Sequence, residues 1–585
     1  MRTHLAPRPW SPVAVLPSVS AEQSRPAPRT PEAPAPIARP HAPRRDAPPA
    51  YALMTTFARY SAPVAAALAA LTLGTATVAA REQPRPEAAV TCPADEEAML
   101  RVKAAKQAPY GASARALAKQ ALSAKYRAAP DHPLMKHRAE VQRRLELLGL
   151  LRTSGDHLHI SDVDLEHGGA VLRAAIGLNP LVKTVTSTLS VDGVPEPFAK
   201  KHLSAGQFAR YRAQQPSEDA APPEDGPVPT MTELIAGSLD ELEVIVLEKQ
   251  LRVQHLTAQR DQISQAKRIF VNMSFGQSPD RLATGMAEMI MTAPPGSALH
   301  ALAEKTLGEK LVTPPDDMGF EEPTFSFCDA SAPADPAPMD EDLGPPDAAA
   351  EAEFAKLEAQ FAAIKKKLVY PALTKAMQRP EFQARMKQAR DGLDRALVDA
   401  RRVGILVFEA AGNEYADADR SGNPAMSMSM STGAKHMLRI GALDLGRLGD
   451  PKDDRVAEFS AAGRVAVASQ GTKLPVWFQL GHVEESEGTS FSSPLTAGVG
   501  VAVAAAAKDP NLTPDGIARL LVDPRAVHDI PGTTRDGAGA LDDFAAVILA
   551  ANPKLDRGTI DRAWQMLAAK DADVPAVKRL LGLAS

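Results

Sequence analysis

A serine-rich segment, residues 488–498, carries the clearest chemical signal in the sequence. It reads Gly-Thr-Ser-Phe-Ser-Ser-Pro-Leu-Thr-Ala-Gly and precedes a run rich in alanine and valine, residues 499–507. The apolar run predicts a buried helix whose small side chains let it pass through the core, and Ser490 then lies in its first turn. The positive end of a helix favours negative charge developing on an oxygen there. Ser490 is therefore a candidate nucleophile.

A serine hydroxyl is a poor nucleophile without a base, and a histidine follows a group of acidic residues earlier in the chain. Residues 157–167 read HLHISDVDLEH, a short alternating strand that ends in carboxylates, with His167 opening a predicted helix. Asp162 stands at the expected strand end. Because a chain spans about 3.3 Å per residue, a tight turn can bring that carboxylate back to the imidazole. Asp164, another acid, or no acid at all remain as alternatives.

A third candidate, Asn413, follows the apolar run of residues 403–410. The run predicts a buried strand, and Gly412 permits the tight backbone turn after it. A side-chain amide in that position can donate to an oxyanion, and one such donor is worth about 2.7–4 kcal/mol. Asn413 is therefore a candidate oxyanion ligand.

The elements that must position these side chains are predicted from hydrophobic pattern. Short apolar runs rich in β-branched or aromatic residues alternate with helical patterns, which is typical of buried parallel strands in an α/β fold. These runs are residues 268–273, 403–410, 438–443 and 465–468. Helical spacing marks residues 95–150, and a charged helical pattern broken at 370–371 and 379–380 marks residues 351–402. Two acidic, proline-rich stretches, 214–230 and 314–347, read as surface insertions.

The serine segment resembles the nucleophile segment of the subtilisin-like serine peptidases. Residues 405–414 are similar to the family's strand and turn that present the oxyanion asparagine, 167–177 to the helix that the catalytic histidine begins, and 270–276 to a wall of the substrate cleft. The resemblance spans roughly residues 156–548. It implies an α/β fold with a doubly wound parallel sheet covered by helices on both faces. The sequence pattern adds a helical N-terminal region and insertions at 214–230 and 280–400.

The resemblance also implies a secreted serine endopeptidase that works through an acyl-enzyme. Ser490 would attack the peptide carbonyl, His167 would carry the proton, Asp162 would orient His167, and Asn413 with the Ser490 N–H would hold the oxyanion. The substrate-binding residues would be Ser274, Phe275 and Gly276, which pair with an extended peptide.

The acid departs from the family pattern. The family's aspartate ends a strand in Asp-Thr-Gly or Asp-Ser-Gly, tens of residues before the histidine, and no such triplet precedes His167 here. The alternative function is therefore a catalytically impaired protein of the same fold that only binds peptides.

Composition limits the partners. The formal charge of −5 argues against a general nucleic-acid binder. The two cysteines, Cys92 and Cys328, are too few for a disulfide scaffold or a four-cysteine zinc site, and their mutual pairing stays open. Residues 417–428 open like a calcium loop, but Met428 occupies the position of the bidentate carboxylate. We expect protein or peptide substrates, no nucleic acid, no membrane span in the mature chain, and no metal or other cofactor.

The remaining expectations concern domains and targeting. Residues 1–53 contain 13 Pro and read as a disordered extension before a true start at Met54. Residues 54–80 have the three-part layout of a signal peptide, which predicts a secreted or periplasmic protein; a membrane span is the alternative. Residues 81–155 would be a helical region or propeptide, and 549–585 a C-terminal helical tail.

Overall fold

The computed structural model describes residues 132–584, apart from gaps at 164, 180, 182–185, 191–192, 216–227, 313–347, 421, 445–452, 462, 477–483, 531–532 and 534. The predicted extension, the predicted signal peptide and both cysteines lie outside these residues.

A sheet of nine strands forms the centre of the described part of the chain. Seven strands, in the spatial order β2-β1-β3-β4-β5-β7-β11, run parallel, while β10 and β6 add antiparallel pairs to β11 and β5. A separate antiparallel pair is formed by β8 and β9. The strands are β1 (His157–Ser161), β2 (Thr186–Ser190), β3 (Ile269–Met273), β4 (Ile405–Ala410), β5 (Leu438–Asp444), β6 (Arg455–Val456), β7 (Val467–Gln470), β8 (Leu474–Val476), β9 (Glu484–Ser486), β10 (Val527–His528) and β11 (Ala540–Leu541).

Helices flank this sheet. In chain order they are α1 (Pro133–Leu147), α2 (Leu165–Gly177), α3 (Glu196–His202), α4 (Ala205–Ala213), α5 (Met231–Ala258), α6 (Arg260–Ile263), α7 (Pro279–Met291), α8 (Ala298–Leu307), α9 (Ala348–Ile364), α10 (Tyr370–Met377), α11 (Pro380–Arg402), α12 (Tyr415–Arg420), α13 (Thr489–Ala506), α14 (Pro514–Leu521), α15 (Asp543–Ala551), α16 (Arg557–Met566) and α17 (Val574–Leu580). Short 3₁₀ turns occupy Pro424–Ser427 and Met430–Gly433.

The central strands are buried on both faces, and alternate side chains enter two different hydrophobic clusters. One cluster joins α2, α13 and α15 to the strand residues Leu158, Ile160, Phe270, Leu406 and Phe408. The other joins α5, α7 and α11 to Ile269, Val271, Met273, Ile405 and Val407. Continuous apolar runs suit strands that are covered on both sides. The four strands predicted from such runs are confirmed, with their ends shifted by no more than two residues.

The charged helical pattern of residues 351–402 is interrupted at only one of its two predicted breaks. Arg379 is a helix cap, and Pro380 opens α11 in the position where a missing N–H costs nothing. At Pro371 the chain stays helical, because a π-helical turn, Lys365–Val369, precedes it and Tyr370 N–H donates to the Lys365 carbonyl. The prediction of a break at 370–371 is therefore wrong.

Helix α1 is the described part of the predicted N-terminal helical region, and it packs on the C-terminal helices. Its Arg144 guanidinium lies 3.4 Å from the centroid of the Trp564 ring and donates to the Trp564 carbonyl. Its buried Arg138 lies 3.3 Å from a carboxylate oxygen of Asp543. These contacts attach α1 to α15 and α16.

Within the described part of the chain, α13 is the helix whose length and composition meet the minimum for crossing a membrane. Nearly all of it is buried against the sheet and against α2 and α15. A core helix of small apolar residues has the same composition, so α13 gives no support for a membrane span.

Strand β1 carries two buried histidines, His157 and His159, which share the hydroxyl of Thr188 at 2.8 and 2.7 Å. Burial lowers the pKa of His157 to about 4. Burial, together with the charges of His157 and Arg252, lowers the pKa of His159 to about 3. Both rings are therefore neutral in the folded protein near pH 7.

We expect His159 to make the fold sensitive to acid. The unfolded chain binds a proton at this residue below about pH 6.5, whereas the folded chain resists it until near pH 3. The stability that depends on neutral His159 is present above pH 6.5 and is lost as the pH falls toward 3. Glutamine does not titrate. The melting temperature of H159Q should therefore fall less between pH 7.5 and pH 4.5 than the melting temperature of the wild type. Equal decreases in the two proteins would contradict this assignment.

Candidate active site

Asp162 and His167 meet in a tight turn between β1 and α2. His167 Nδ1 lies 2.9 Å from Asp162 Oδ2, and Asp162 is fully buried while His167 is 8% exposed. The other carboxylate oxygen, Oδ1, accepts from the Val163 N–H at 2.8 Å, and the Asp162 N–H donates to the Ser190 carbonyl at 2.9 Å. A carboxylate that accepts from Nδ1–H leaves Nε2 as the basic atom of the imidazole.

Gly168 permits this turn. A Cβ atom at this position would lie 2.9 Å from the Cβ of Asp162 and 2.9 Å from a methyl group of Leu189. Real side chains essentially never pack that closely, so a larger residue would push α2 away from the end of β1. The glycine after His167 therefore has a packing role that the sequence pattern alone did not explain.

Ser490 is the second residue of α13, and it is 9% exposed. Its neighbour Phe491 brings α13 against the histidine, with 6.5 Å between the centroids of the Phe491 and His167 rings. Asn179, just beyond α2, donates to the Leu495 carbonyl at 3.1 Å and so ties the two helices together again. The serine thus lies at the positive end of a buried helix that packs against the helix carrying His167.

Pro494 leaves a gap in the hydrogen bonding of α13, and Ser274 fills it. A proline has no N–H, so the carbonyl four residues earlier, that of Ser490, loses its helical donor. The Ser274 hydroxyl donates to this carbonyl at 3.1 Å. Asn272 continues the chain of contacts, donating to Ser274 Oγ at 2.7 Å and accepting from the Ser493 hydroxyl at 2.6 Å. The end of β3 therefore fixes the backbone that carries Ser490.

Asn413 lies beside the first residues of α13 and is exposed. Its side-chain oxygen accepts from the Thr489 N–H at 2.9 Å and from the Thr489 hydroxyl at 2.8 Å. The amide nitrogen lies 3.3 Å from the position that a Cβ on Gly488 would occupy. Gly488 has φ 148 and ψ 151, which is a glycine conformation. The oxygen of Asn413 is thus engaged by the helix, and its NH₂ group lies beside the backbone that leads into Ser490.

The segment predicted to line the substrate cleft follows β3, with Ser274 and Phe275 almost fully buried. The space beside Gly276 is narrow, because a Cβ there would lie 3.2 Å from the ammonium nitrogen of Lys249. The Ser274 side chain is occupied by the Ser490 carbonyl, so any substrate pairing at this position would use its backbone.

A buried ionic cluster underlies this segment. Glu409, in β4, accepts from Lys249, Ser431 and Arg439, the last at 2.7 Å. Burial alone would raise the pKa of Glu409, but the charges of Arg439 and Lys249 and the hydrogen bonds from Lys249 and Ser431 lower it to about 2. A buried carboxylate with two cationic partners stays ionised, and the cluster fixes β4 and β5 near Asn413.

Residues 417–420, which open the segment that resembles a calcium loop, lie in a helix. Asp417 lies in α12 and pairs with Arg420 at 2.9 Å. The part of the chain that the structure describes contains no group of three or more His, Cys, Asp or Glu side chains that could hold a metal ion.

Sequence reasoning missed several residues that hold the site together. Arg252 and Lys249 lie in α5, far from the motifs along the chain, and no local pattern marks them. Glu409 could have been noticed as the acidic residue of an otherwise apolar strand. Asn272 could have been noticed in the same way in β3.

Part of the chain is similar to known proteins. Residues 371–582 match the model of the subtilase family of peptidases. The serine protease AprX of Bacillus subtilis (strain 168) is 28% identical over 152 residues, an alignment that covers 22% of this chain and 32% of AprX. The chain therefore spans about a third of that relative. A solved structure of the subtilase cytotoxin SubAB assembly aligns with this chain at 16% sequence identity and a TM-score of 0.23. The alignment covers 29% of this chain and 54% of the chain in that structure.

Proposed function

We propose that this chain, which carries a subtilase-family domain at residues 371–582, is a serine endopeptidase with Asp162, His167 and Ser490 as its catalytic residues. The observation that carries the proposal is the 2.9 Å contact between His167 Nδ1 and Asp162 in a buried turn packed beside the start of α13. The family match includes Asn413 and Ser490, whereas Asp162 and His167 precede it. The contact therefore supports the proposal independently of the match.

The topology supports a site at this edge of the sheet. Parallel strands end at the same edge, and Asp162, Ser274 and Asn413 follow β1, β3 and β4 in that order. The strand order reverses at β1, which lies between β2 and β3. Sites in open α/β sheets form beyond the carboxyl ends of the strands at such a reversal. We therefore propose the doubly wound, subtilisin-like arrangement for this fold.

The first half of the proposed reaction forms an acyl-enzyme. His167 Nε2 removes the proton of Ser490 as its oxygen attacks the peptide carbonyl, and Asp162 stabilises the imidazolium through Nδ1. The Asn413 NH₂ group and the Ser490 N–H, which has no helical acceptor in the first turn, donate to the oxyanion. His167 then gives its proton to the leaving amine.

The second half releases the acyl group. Water attacks the ester carbon while His167 Nε2 takes its proton, and the same groups hold the oxyanion. The bond between the acyl carbon and the Ser490 oxygen then breaks, His167 gives the proton back to that oxygen, and the acid product leaves. Backbone pairing along residues 274–276 would hold the substrate in an extended form. Protein and peptide chains are thus the proposed substrates.

The N-terminal layout supports a second proposal, that residues 54–80 direct the chain out of the cytoplasm as a secreted or periplasmic protein. Helix α1 packs against α15 and α16 through Arg138 and Arg144. We place any removable propeptide before this helix, within residues 81–132.

Incubation of the full chain with an unfolded protein tests the proposed function directly. We expect new peptides to appear, and we expect a fluorophosphonate that modifies activated serines to prevent their formation. If the chain binds the unfolded protein but does not cleave it, the result contradicts the proposal and favours the peptide-binding alternative. The Asp162 contact with His167 supports the enzyme over that alternative, because the missing Asp-Thr-Gly triplet was the argument for an impaired site.

We expect N413D to separate the two jobs of the Asn413 side chain. Aspartate keeps the oxygen that accepts from Thr489, but it removes the NH₂ donor and adds negative charge where the oxyanion forms. Loss of one such donor lowers kcat by about 10²–10³-fold. The melting temperature should not fall, since a carboxylate is favourable at a helix N-terminus. Unchanged kcat in N413D would show that Asn413 is not an oxyanion ligand.

A further inference from the structure

Arg252 reaches the proposed catalytic acid from the middle of α5. Its side chain is almost fully buried, and Nη1 donates to the Asp162 carbonyl at 2.8 Å and to the Ser161 hydroxyl at 3.1 Å. Glu248, one turn earlier in α5, accepts from Nε at 2.6 Å. The guanidinium thus donates on one side to a carboxylate of its own helix and on the other side to the residues at the end of β1.

Each backbone polar group and each carboxylate oxygen of Asp162 has a hydrogen-bond partner. Its N–H is used by Ser190, its two carboxylate oxygens by Val163 and His167, and its carbonyl by Arg252. The backbone after Asp162 must turn at once to reach His167 five residues on. A buried carbonyl without a donor is costly, so the turn depends on a donor at this point.

Arg252 also contacts the segment after β3. Its guanidinium carbon lies 4.9 Å from the centroid of the Phe275 ring, a favourable distance for a cation above an aromatic face. One side chain therefore connects the acid that contacts His167 with the proposed wall of the substrate cleft.

We propose that Arg252 is a positioning residue that fixes the Asp162 turn and thereby the orientation of His167. The inference rests on the proposed endopeptidase function. Arg252 would contact neither the substrate nor the reacting atoms. Asp162 lies only five residues before His167, so the chain between them must turn tightly. The hydrogen bond from the Arg252 guanidinium to the Asp162 carbonyl holds this turn in place.

The test compares R252M and R252K with the wild type in kcat and KM on one peptide substrate. Methionine fills the space without donating, and since small misplacements of catalytic groups can cost ~10²-fold, we expect kcat to fall about 10–100-fold with KM changed less than about twofold. R252K restores one donor and should recover part of the loss. Second-order labelling by a fluorophosphonate should slow in parallel, because it reports activation of the serine by His167.

Arg268 provides a matched control. It is also a buried arginine paired with a carboxylate, Asp156, at 2.8 Å, but at the opposite end of β1. R268M should lower the melting temperature and leave kcat near the wild-type value. If R252M does not fold, R252K carries the test alone through its lowered kcat.

Two results would overturn the inference: a folded Arg252 variant with wild-type kcat, or equal losses of kcat in R252M and R268M. A wild-type chain that neither cleaves peptides nor reacts with the fluorophosphonate would instead refute the proposed function itself.

Discussion

Replacing Ser490 with alanine is expected to abolish cleavage of an unfolded protein, with kcat falling by about 10⁶-fold, the scale seen when a serine nucleophile is removed. The loss follows because the attacking oxygen is gone and no acyl-enzyme can form. The fold should persist, because the contact between Ser490 and Ser274 uses the backbone carbonyl of Ser490 and not its hydroxyl. Release of peptides and the melting temperature together measure both expectations.

Ser492 is the matched control for this substitution. It lies two residues further along α13, is fully buried, and donates its hydroxyl to the Thr489 carbonyl at 3.1 Å. S492A removes the same atom from the same helix, so it should lose some stability and keep its activity. If S490A cleaves the substrate at the wild-type rate, or if S492A loses activity and S490A does not, Ser490 is not the nucleophile.

Replacing Asp162 with asparagine is expected to lower kcat by about 10⁴-fold, the magnitude found for this change in another serine protease. Asparagine has the same shape, but its amide can stabilise the wrong tautomer of His167 and cannot stabilise the imidazolium. Circular dichroism should be unchanged. The assay is best made near pH 8 on the same unfolded substrate that is used for S490A.

Asp164→Asn makes the same charge change two residues further on. It should stay within about tenfold of the wild type, since the proposed triad uses the carboxylate of Asp162. If Asp164→Asn loses activity and Asp162→Asn does not, the two aspartates exchange roles. If neither variant loses activity, the acid lies outside this segment.

The parallel strands could be predicted because strands buried on both faces consist of short, continuous runs of apolar residues. Apart from Asn272 and Glu409, residues 269–273 and 405–410 are apolar on both faces, and both faces are covered by helices. The start of α13 was predictable for a similar reason, since a run rich in alanine and valine, residues 499–507, follows the serines. The π turn before Pro371 was not predictable, because it depends on hydrogen bonds that shift by one residue along a continuing helix.

The contacts that stabilise the candidate site could not be predicted from local sequence patterns, because they join residues that are distant along the chain. Arg252 and Asp162 are 90 positions apart in the chain, and Lys249 and Glu409 are 160 apart. Such pairs become neighbours only when α5 packs beneath the sheet. The sequence also left Asp162 and Asp164 as alternatives, and the 2.9 Å distance to His167 now favours Asp162.

The role of Ser274 shows how a resemblance can assign the right segment and leave the contact unspecified. The resemblance implied that Ser274 lines the substrate cleft. Its hydroxyl instead supports the Ser490 carbonyl, a need that arises from Pro494 in α13. The backbone of residues 274–276 remains the proposed pairing edge.

Covalent labelling tests the central claim most directly, because a fluorophosphonate reacts with a serine only when a neighbouring base activates it. The full chain would be treated with the reagent near pH 8, digested, and analysed by mass spectrometry to locate the modified residue. We predict a single adduct on Ser490 of the wild type, and none after His167→Ala. An unmodified chain, or an adduct on another serine, would contradict the proposal that His167 and Ser490 form a working catalytic pair.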